Sequence, residues 1–508
     1  MRAKAKTVYL AGAGPGDPGL LTVRTRELLS ICECVIYDAL VSPEIMALVN
    51  PAAEQIYVGK RGNRHALEQA EINQLLVKKA ATGKSVLRLK GGDPYLFGRG
   101  AEEALFLVEH GTCVEVIPGI TAGIAAPTYA GIPVTHRKVA SAVVFVTGHE
   151  DSAKSESALD WAALAKIGTL CFYMSAKNIS HISDMLSKHL SPETPVAVIQ
   201  WGATPRQRTV IGTLQTIAQI VKDAKITAPA LTVVGAVVRY RDQLNFFERT
   251  PLFGKRVLVT RARAQAGSLA ESLRELGATA YEFPTIRILP AKGQELKQAV
   301  KRLARAQYDW LIFTSANGVD AVFDEISRQR LDARAVRAKV AVIGSATAAR
   351  LLEKGLRADL ISPKFVAESI VETLKKQNAI DGQRFLLARA DIARGELPAA
   401  LTKLGGLVSD IVAYRTALET TNQTAALATL AAGEIDAVTF TSASTVRNFA
   451  EILGPDRLKT ALAAPRLRCF SIGPKTSDAM RQAGIPIQSE ATTHNILGLL
   501  QLLTTFHF

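Results

Sequence analysis

The sequence has no apolar run long enough to span a bilayer as a helix, so a transmembrane helix is excluded. It has few cysteines. Cys32, Cys34, Cys113, Cys171 and Cys469 are scattered and odd in number, which suits a reducing cytoplasm rather than a disulfide scaffold. Cys32 and Cys34 form the one close pair, with no further Cys or His beside them, so no metal site is expected. Aromatics make up only 6% of the chain and are not interleaved with clustered Lys and Arg, which argues against a nucleic-acid footprint. Acidic residues are short, at 46 against 61 Lys and Arg, leaving a net charge of +15. That excess fits a polyanionic partner: a nucleic acid, an anionic membrane or a substrate with many carboxylates. Because the basic residues are dispersed, most of them read as ordinary solvated surface. The N-terminus enters a strand directly, without a signal-peptide core.

What the chain does contain is an internal echo. Gly254–Thr285 repeats in Gly382–Ala413, with Arg261 on Arg389, Leu276 on Leu404 and Gly277 on Gly405, each 128 positions apart. Tyr308–Ser315 returns as Ile435–Ser442 at an offset of 127, and Ile343–Gly355 as Ile472–Gly484 at 129. Three matches at nearly one offset describe two copies of one α/β unit. The first 245 residues lack this echo, so the chain is two machines joined by the short segment 246–253, which is expected to lie against a neighbour.

Short apolar runs at 7–12, 34–38, 55–58, 85–90 and 113–117 read as buried strands, with helical patterns at about 20–31, 66–82 and 100–110. The alternation predicts a mostly parallel sheet. Runs at 142–147, 169–174, 195–200, 208–212 and 231–238 predict a second lobe, with the boundary at about 118. In the second half, Pro284–Ile288 and Asp410–Thr416 are the natural crossing points. They predict a discontinuous first lobe (254–287 with 415–508) and an inserted second lobe (289–412).

Gly12-Ala-Gly14-Pro-Gly16-Asp17 follows a strand and opens a helix like a dinucleotide loop. However, Asp17 stands where the third glycine belongs, and Pro15 removes an N–H that would face a pyrophosphate. No NAD site is expected there. The motifs that follow are Tyr37-Asp38, Val58-Gly59-Lys60-Arg61, Lys90-Gly91-Gly92-Asp93-Pro94, Arg99-Gly-x-Glu102-Glu103, Pro118-Gly119-Ile120-Thr121-Ala122 and Thr135-His136-Arg137. In that order, residues 6–245 resemble uroporphyrinogen-III C-methyltransferase, a tetrapyrrole methyltransferase. The resemblance implies S-adenosylmethionine held between two α/β lobes by Pro15, Gly91, Gly92, Asp93, Leu96, Thr121, Ala122, Met174 and Gly202. It implies Asp38 and Lys60 as acid–base groups, with Arg99 and Glu102 as a rival pair. An arginine is a poor base, and suits a carboxylate clamp or a partner for developing charge better. Arg137 and His149 match substrate-pocket positions; His149 reads equally well as a turn histidine.

Thr314-Ser315-Ala316-Asn317, Thr441-Ser442-Ala443-Ser444, Gly473-Pro474-Lys475-Thr476 and Tyr414-Arg415-Thr416 resemble uroporphyrinogen-III synthase, over residues 254–505. Each Thr-Ser pair closes a strand and opens a helix, where hydroxyls and free N–H groups can meet an anion. Taken singly, Ser315, Ser442 and Thr476 also read as ordinary helix caps. The resemblance implies closure of hydroxymethylbilane with inversion of the last ring, Tyr414 assisting loss of hydroxide. As a residue alone, Tyr414 reads equally as a hinge-packing aromatic.

Together the two resemblances imply an α/β chain: a two-lobed tetrapyrrole-methyltransferase fold, then a two-lobed, duplicated uroporphyrinogen-III-synthase-like fold. The implied activity is cyclisation of hydroxymethylbilane to uroporphyrinogen III and its methylation at C2 and C7 to precorrin-2, for sirohaem or cobalamin. With no oxidising domain before residue 7, the expected product is precorrin-2 itself. Polycarboxylate tetrapyrroles account for the basic charge, and the family implies a cytoplasmic homodimer formed through the methyltransferase half, with no nucleic acid or membrane partner. The alternatives are a methyltransferase for another corrin intermediate joined to a non-catalytic two-lobed binding module, and a basic methyltransferase that modifies nucleic acid.

Overall fold

The structure is a computed structural model that describes residues 6–59, 67–148, 159–261, 263–291, 294–362, 367–391, 393, 395–419 and 424–508. The chain divides into two compact units. One is Met1–Arg256 with Ser272–Thr279 and Leu503–His507; the other is Val257–Glu271 with Ala280–Leu502 and Phe508.

In the first unit, β1 (Thr7–Gly12), β2 (Cys34–Tyr37), β3 (Glu54–Tyr57), β4 (Val86–Lys90) and β5 (Cys113–Ile117) form a parallel sheet in the order β3-β2-β4-β1-β5. Both faces are buried. Alternate residues supply two cores: Tyr9, Leu87 and Leu89 with Leu28 and Leu29 on one side, and Val8, Leu10 and Val86 with Leu76 and Leu107 on the other. That is why these strands read as continuous apolar runs.

A second sheet follows. β6 (Val143–Thr147), β7 (Thr169–Tyr173), β8 (Pro195–Gln200), β9 (Arg208–Thr213) and β10 (Ala230–Val234) lie in the order β6-β7-β10-β8-β9. It is mixed: β6 and β7 are parallel, whereas β10 runs antiparallel to β7 and β8, and β8 antiparallel to β9. The apolar run to 238 is a strand only as far as Val234; Ala236–Tyr240 is a 3-10 helix with Val237 and Val238 buried. Periodicity cannot separate those two buried forms over so short a run. The segment after it packs on this unit. Glu248 accepts from Gln207 Nε2 (2.7 Å) and Thr209 Oγ1 (2.6 Å), and Phe246 and Phe247 stand edge-on to Tyr129.

The second unit holds two sheets. In chain order the strands are β11 (Arg256–Val259), β12 (Thr279–Glu282), β13 (Ile286–Pro290), β14 (Trp310–Phe313), β15 (Lys339–Ile343), β16 (Leu360–Ser362), β17 (Arg384–Ala390), β18 (Leu407–Leu418), β19 (Ala437–Phe440), β20 (Arg468–Ser471) and β21 (Ser489–Glu490). One sheet runs β12-β11-β19-β20-β21 and the other β13-β18-β17-β14-β15-β16. Placing β11 on β17, β12 on β18, β19 on β14 and β20 on β15 follows the sequence echo and reproduces one strand order in both sheets. β13 is the added strand. It pairs antiparallel with the second half of β18, from Ile286 opposite Leu418 to Pro290 opposite Tyr414. The two expected crossing segments, 284–288 and 410–416, therefore fall largely inside paired strand.

Candidate functional site

The first unit gathers its glycine-rich loops at the carboxyl ends of β1, β4 and β5. Gly14 and Gly92 exchange backbone hydrogen bonds, Gly14 N–H to Gly92 O at 3.2 Å and Gly92 N–H to Gly14 O at 2.7 Å. A Cβ on Gly119 would stand 2.2 Å from Gly92 O and 2.7 Å from Gly12 Cα, so three backbones touch where no side chain fits. Gly92 adopts φ +68°. A Cβ there would stand at contact distance, 4.0 Å, from Ala122 N and Thr121 Cα. Gly91 lies against Leu40: a Cβ on it would meet Leu40 Cβ at 2.6 Å.

Asp93 holds this rim together. Its Oδ1 accepts from Tyr95 N (2.8 Å) and Leu96 N (3.2 Å), and its Oδ2 from Gly119 N (3.0 Å). Thr121 opens the helix Ala122–Tyr129 and shares a 2.5 Å hydrogen bond with Tyr173 OH, which also accepts from Gly123 N at 2.5 Å. Burial pushes the Tyr173 hydroxyl above its ordinary value, which keeps it protonated. Phe97 packs on the Tyr173 ring, with centroids 5.0 Å apart. Met174 follows with φ +54° and its side chain half exposed. Gly202 lies so close to Ala126 that a Cβ would reach 2.3 Å. Gly91, Gly92, Asp93, Leu96, Thr121, Ala122, Met174 and Gly202 thus stand on loops and helix starts at the ends of the two sheets.

Pro15 and Asp38 line a neighbouring cleft of about 410 Å³ with Tyr37, Tyr57, Trp201 and Arg206. Asp38 Oδ1 accepts from Leu40 N (3.1 Å), and Oδ2 from Arg88 Nη2 (3.4 Å). Arg99 and Glu102 lie apart from this cleft on the surface. They pair bidentately at 2.6–3.1 Å, which raises the arginine's pKa and lowers the glutamate's. Arg137 is exposed and does not line the cleft. Lys60 and His149 lie outside the described residues.

Three groups here were given no site role by the sequence reading, although Lys90 and Glu103 stand in the motifs quoted above. Tyr173 was seen only as the end of a strand. Arg206 stacks on Trp201, its guanidinium carbon 3.9 Å from the ring centroid, and has no acidic partner among the described residues. Arg88, Lys90 and Glu103 form a buried charge cluster; the charged positions inside an otherwise apolar strand, Val86–Lys90, were the signal. Burial, and then the charge of Arg88, push the Lys90 ammonium below its ordinary value.

The second unit has a cleft of about 460 Å³ lined by residues of β13, β17 and β18 and of the helices Ala316–Arg328 and Ala443–Leu462, among them Asn317, Tyr414, Thr416, Ser444, Arg447 and Asn448. Ser315 caps the helix Ala316–Arg328, its Oγ accepting from Gly318 N at 3.2 Å while lying 2.9 Å from Tyr414 OH. Ser442 caps the helix Ala443–Leu462 and bonds Ser444 Oγ at 2.9 Å. Thr476 is buried in the first turn of the helix Pro474–Gln482 and is not a lining residue. Arg447 is exposed at the cleft. Sequence reasoning quoted Asn317 in the signature without giving it a role and missed Arg447 and Asn448, which lie one turn beyond the second Thr-Ser signature, where helical spacing brings them to the same rim.

The fold and its two clefts define a two-lobed glycine-loop α/β unit followed by a duplicated α/β unit. Residues 7–218 match the family of tetrapyrrole (corrin/porphyrin) methylases, and residues 267–501 match uroporphyrinogen-III synthase HemD. The chain is 35% identical over 479 residues to the porphyrin biosynthesis protein HemD of Ruminiclostridium josui, covering 94% of this chain and 93% of that one. It is 42% identical over 367 residues to a uroporphyrinogen-III C-methyltransferase of Bacillus subtilis, covering 72% and 74%. It is 52% identical over 240 residues to the S-adenosyl-L-methionine-dependent uroporphyrinogen III methyltransferase of Methanosarcina barkeri, covering 47% and 94%. The chain belongs to the family of fused tetrapyrrole methylases and uroporphyrinogen-III synthases.

Proposed function

We propose that the second unit closes hydroxymethylbilane to uroporphyrinogen III, and that the first methylates this product at C2 and C7 to give precorrin-2. The observation that carries the reading is the pairing, in one chain, of a glycine-lined rim and a hydroxyl-lined cleft, on units that match successive steps of one chemistry.

In the second unit, Gly318 N–H donates to Ser315 Oγ, so the serine hydrogen is available to Tyr414 OH. The phenol proton is then free to be donated to the hydroxyl that leaves hydroxymethylbilane. Arg447, Asn448 and Asn317 offer donors for substrate carboxylates. The cleft's share of the work is to hold the linear chain folded and its reactive cation away from water.

In the first unit, the residues present fit S-adenosylmethionine. Gly92, at φ +68°, brings bare backbone to the rim, and a side chain there would project onto the Thr121–Ala122 helix start, into the place a ligand would take. When bound, the cofactor supplies an electrophilic methyl group. The chain's own groups align the pyrrole carbon and, once that substituted carbon becomes quaternary and its ring cationic, accept the proton that the macrocycle loses from an adjacent position to restore neutrality. Asp38, which lines the cleft and among the described residues accepts two hydrogen bonds, is favoured for that proton over the mutually neutralised Arg99–Glu102 pair. Lys60 is its candidate partner, and Arg206 an anchor for a substrate carboxylate. We also infer a cytoplasmic homodimer through this unit, in keeping with five free thiols and with Leu105 and Val108 exposed on one helix.

Two assays test the reading. Uroporphyrinogen III with labelled methyl donor should take up two methyl groups per macrocycle. Hydroxymethylbilane alone should give the isomer with the inverted ring. Formation of only the uninverted isomer, or a tetrapyrrole without label, would refute the corresponding half.

A further inference from the structure

We infer that Arg88, held by Glu103 and Leu89 O, is a positioning residue for Asp38; the inference rests on the reading that Asp38 works at the methyl-transfer site. Val86, Arg88 and Lys90 alternate onto one face of the central strand β4, toward the helix Gly100–Glu109 that carries Glu103. The side chains of Arg88, Lys90 and Glu103 are 3%, 6% and 0% exposed. Glu103 Oε1 receives Arg88 Nε (3.3 Å), Lys90 Nζ (2.9 Å) and Gln69 Nε2 (3.1 Å), while its Oε2 has no protein partner.

Withdrawing two cations and a carboxylate from water is costly, and apolar side chains of similar volume would hold the sheet to the helix at least as well. Stability therefore does not account for the cluster. Among the described residues, the cluster meets a cleft-lining side chain at Asp38. Arg88 Nη2 reaches Asp38 Oδ2 at 3.4 Å, Nη1 donates to Leu89 O at 3.2 Å, and Nε stays on Glu103. A planar guanidinium pinned at two corners fixes where its third corner points. The trio Arg88, Lys90 and Glu103 carries one net positive charge, and Asp38 is the carboxylate that balances it at the cleft wall. Asp38 is thus gripped on one oxygen by the buried cation and on the other by Leu40 N–H.

The test is a double-mutant cycle in the full chain, assayed with uroporphyrinogen III and labelled methyl donor. Arg88→Met should lower kcat about tenfold to a hundredfold, the cost of a misplaced reacting group, and leave the KM for the methyl donor within about twofold. On an Asp38→Asn background the same change should cost less than about twofold, because the group it positions is already gone. Equal fold losses on both backgrounds, or no loss from Arg88→Met alone, would overturn the inference. An Asp38→Asn variant as active as wild type would instead overturn the reading of Asp38. If Arg88→Met does not fold, Glu103→Gln, which keeps the shape and removes the pinning charge, takes its place in the same cycle with the same outcomes.

Discussion

Tyr414 is the residue we propose assists ring closure, and its environment says how it should respond to change. It is buried, its hydroxyl meets Ser315, and its position in β18 is fixed by pairing with Pro290 on one side and Ala390 on the other. Tyr414→Phe keeps the ring and removes the donor. It should lower the kcat of ring closure by about tenfold to a hundredfold, while methylation of supplied uroporphyrinogen III stays at the wild-type rate. Unchanged ring closure would return Tyr414 to a packing role. A second residue-scale prediction concerns acid. The Arg384 guanidinium beside Asp309, aided by the Arg384 N–H, holds that carboxyl below its ordinary value. A folded pKa below the unfolded value of about 3.9 adds stability above that pH, and the gain is lost as pH falls through the folded value. Wild type should therefore exceed Asp309→Asn near neutrality by less than about 1 kcal/mol, since the pair is partly exposed. Denaturation curves of the two should converge in acid; a gap that stays constant across the range would contradict this. Legibility was uneven at this scale. Asp38 and Tyr414 stood in recognisable motifs, but Arg88, Glu103 and Tyr173 act through partners distant in sequence, which a linear reading does not bring together.

Among the elements, the glycine-rich strand ends of the first unit are the most constrained. Gly119→Ala would force a methyl group into Gly92 O and Gly12 Cα. Such overpacking costs about 1–3 kcal/mol. The variant should unfold at lower denaturant and bind the methyl donor less tightly, as isothermal titration would show. Wild-type binding and stability would mean that the three loops can move apart freely. The strands themselves were readable, because burial on both faces leaves short, continuous apolar runs bounded by turns. The crossings of the second unit were not. Residues 407–418 contain no glycine or proline to break them, so nothing in the sequence marks where the segment stops being a crossing and becomes strand; pairing with β13 decides it. Pro290 sits in β13, an edge strand, where the missing N–H costs least.

For the whole molecule, the duplication explains how the second unit is built. One strand order occurs twice, and the chain enters the second copy between the strands of the first. The echo was legible because Arg261 and Arg389, Gly277 and Gly405, and the two Thr-Ser helix starts recur at nearly constant spacing. The central claim is that one chain carries two successive activities on one tetrapyrrole. Its most direct test gives the intact protein hydroxymethylbilane and labelled methyl donor in a single vessel. The account predicts a ring-inverted tetrapyrrole carrying two labelled methyl groups. Label absent from the tetrapyrrole, with only the uninverted uroporphyrinogen recovered, would contradict it.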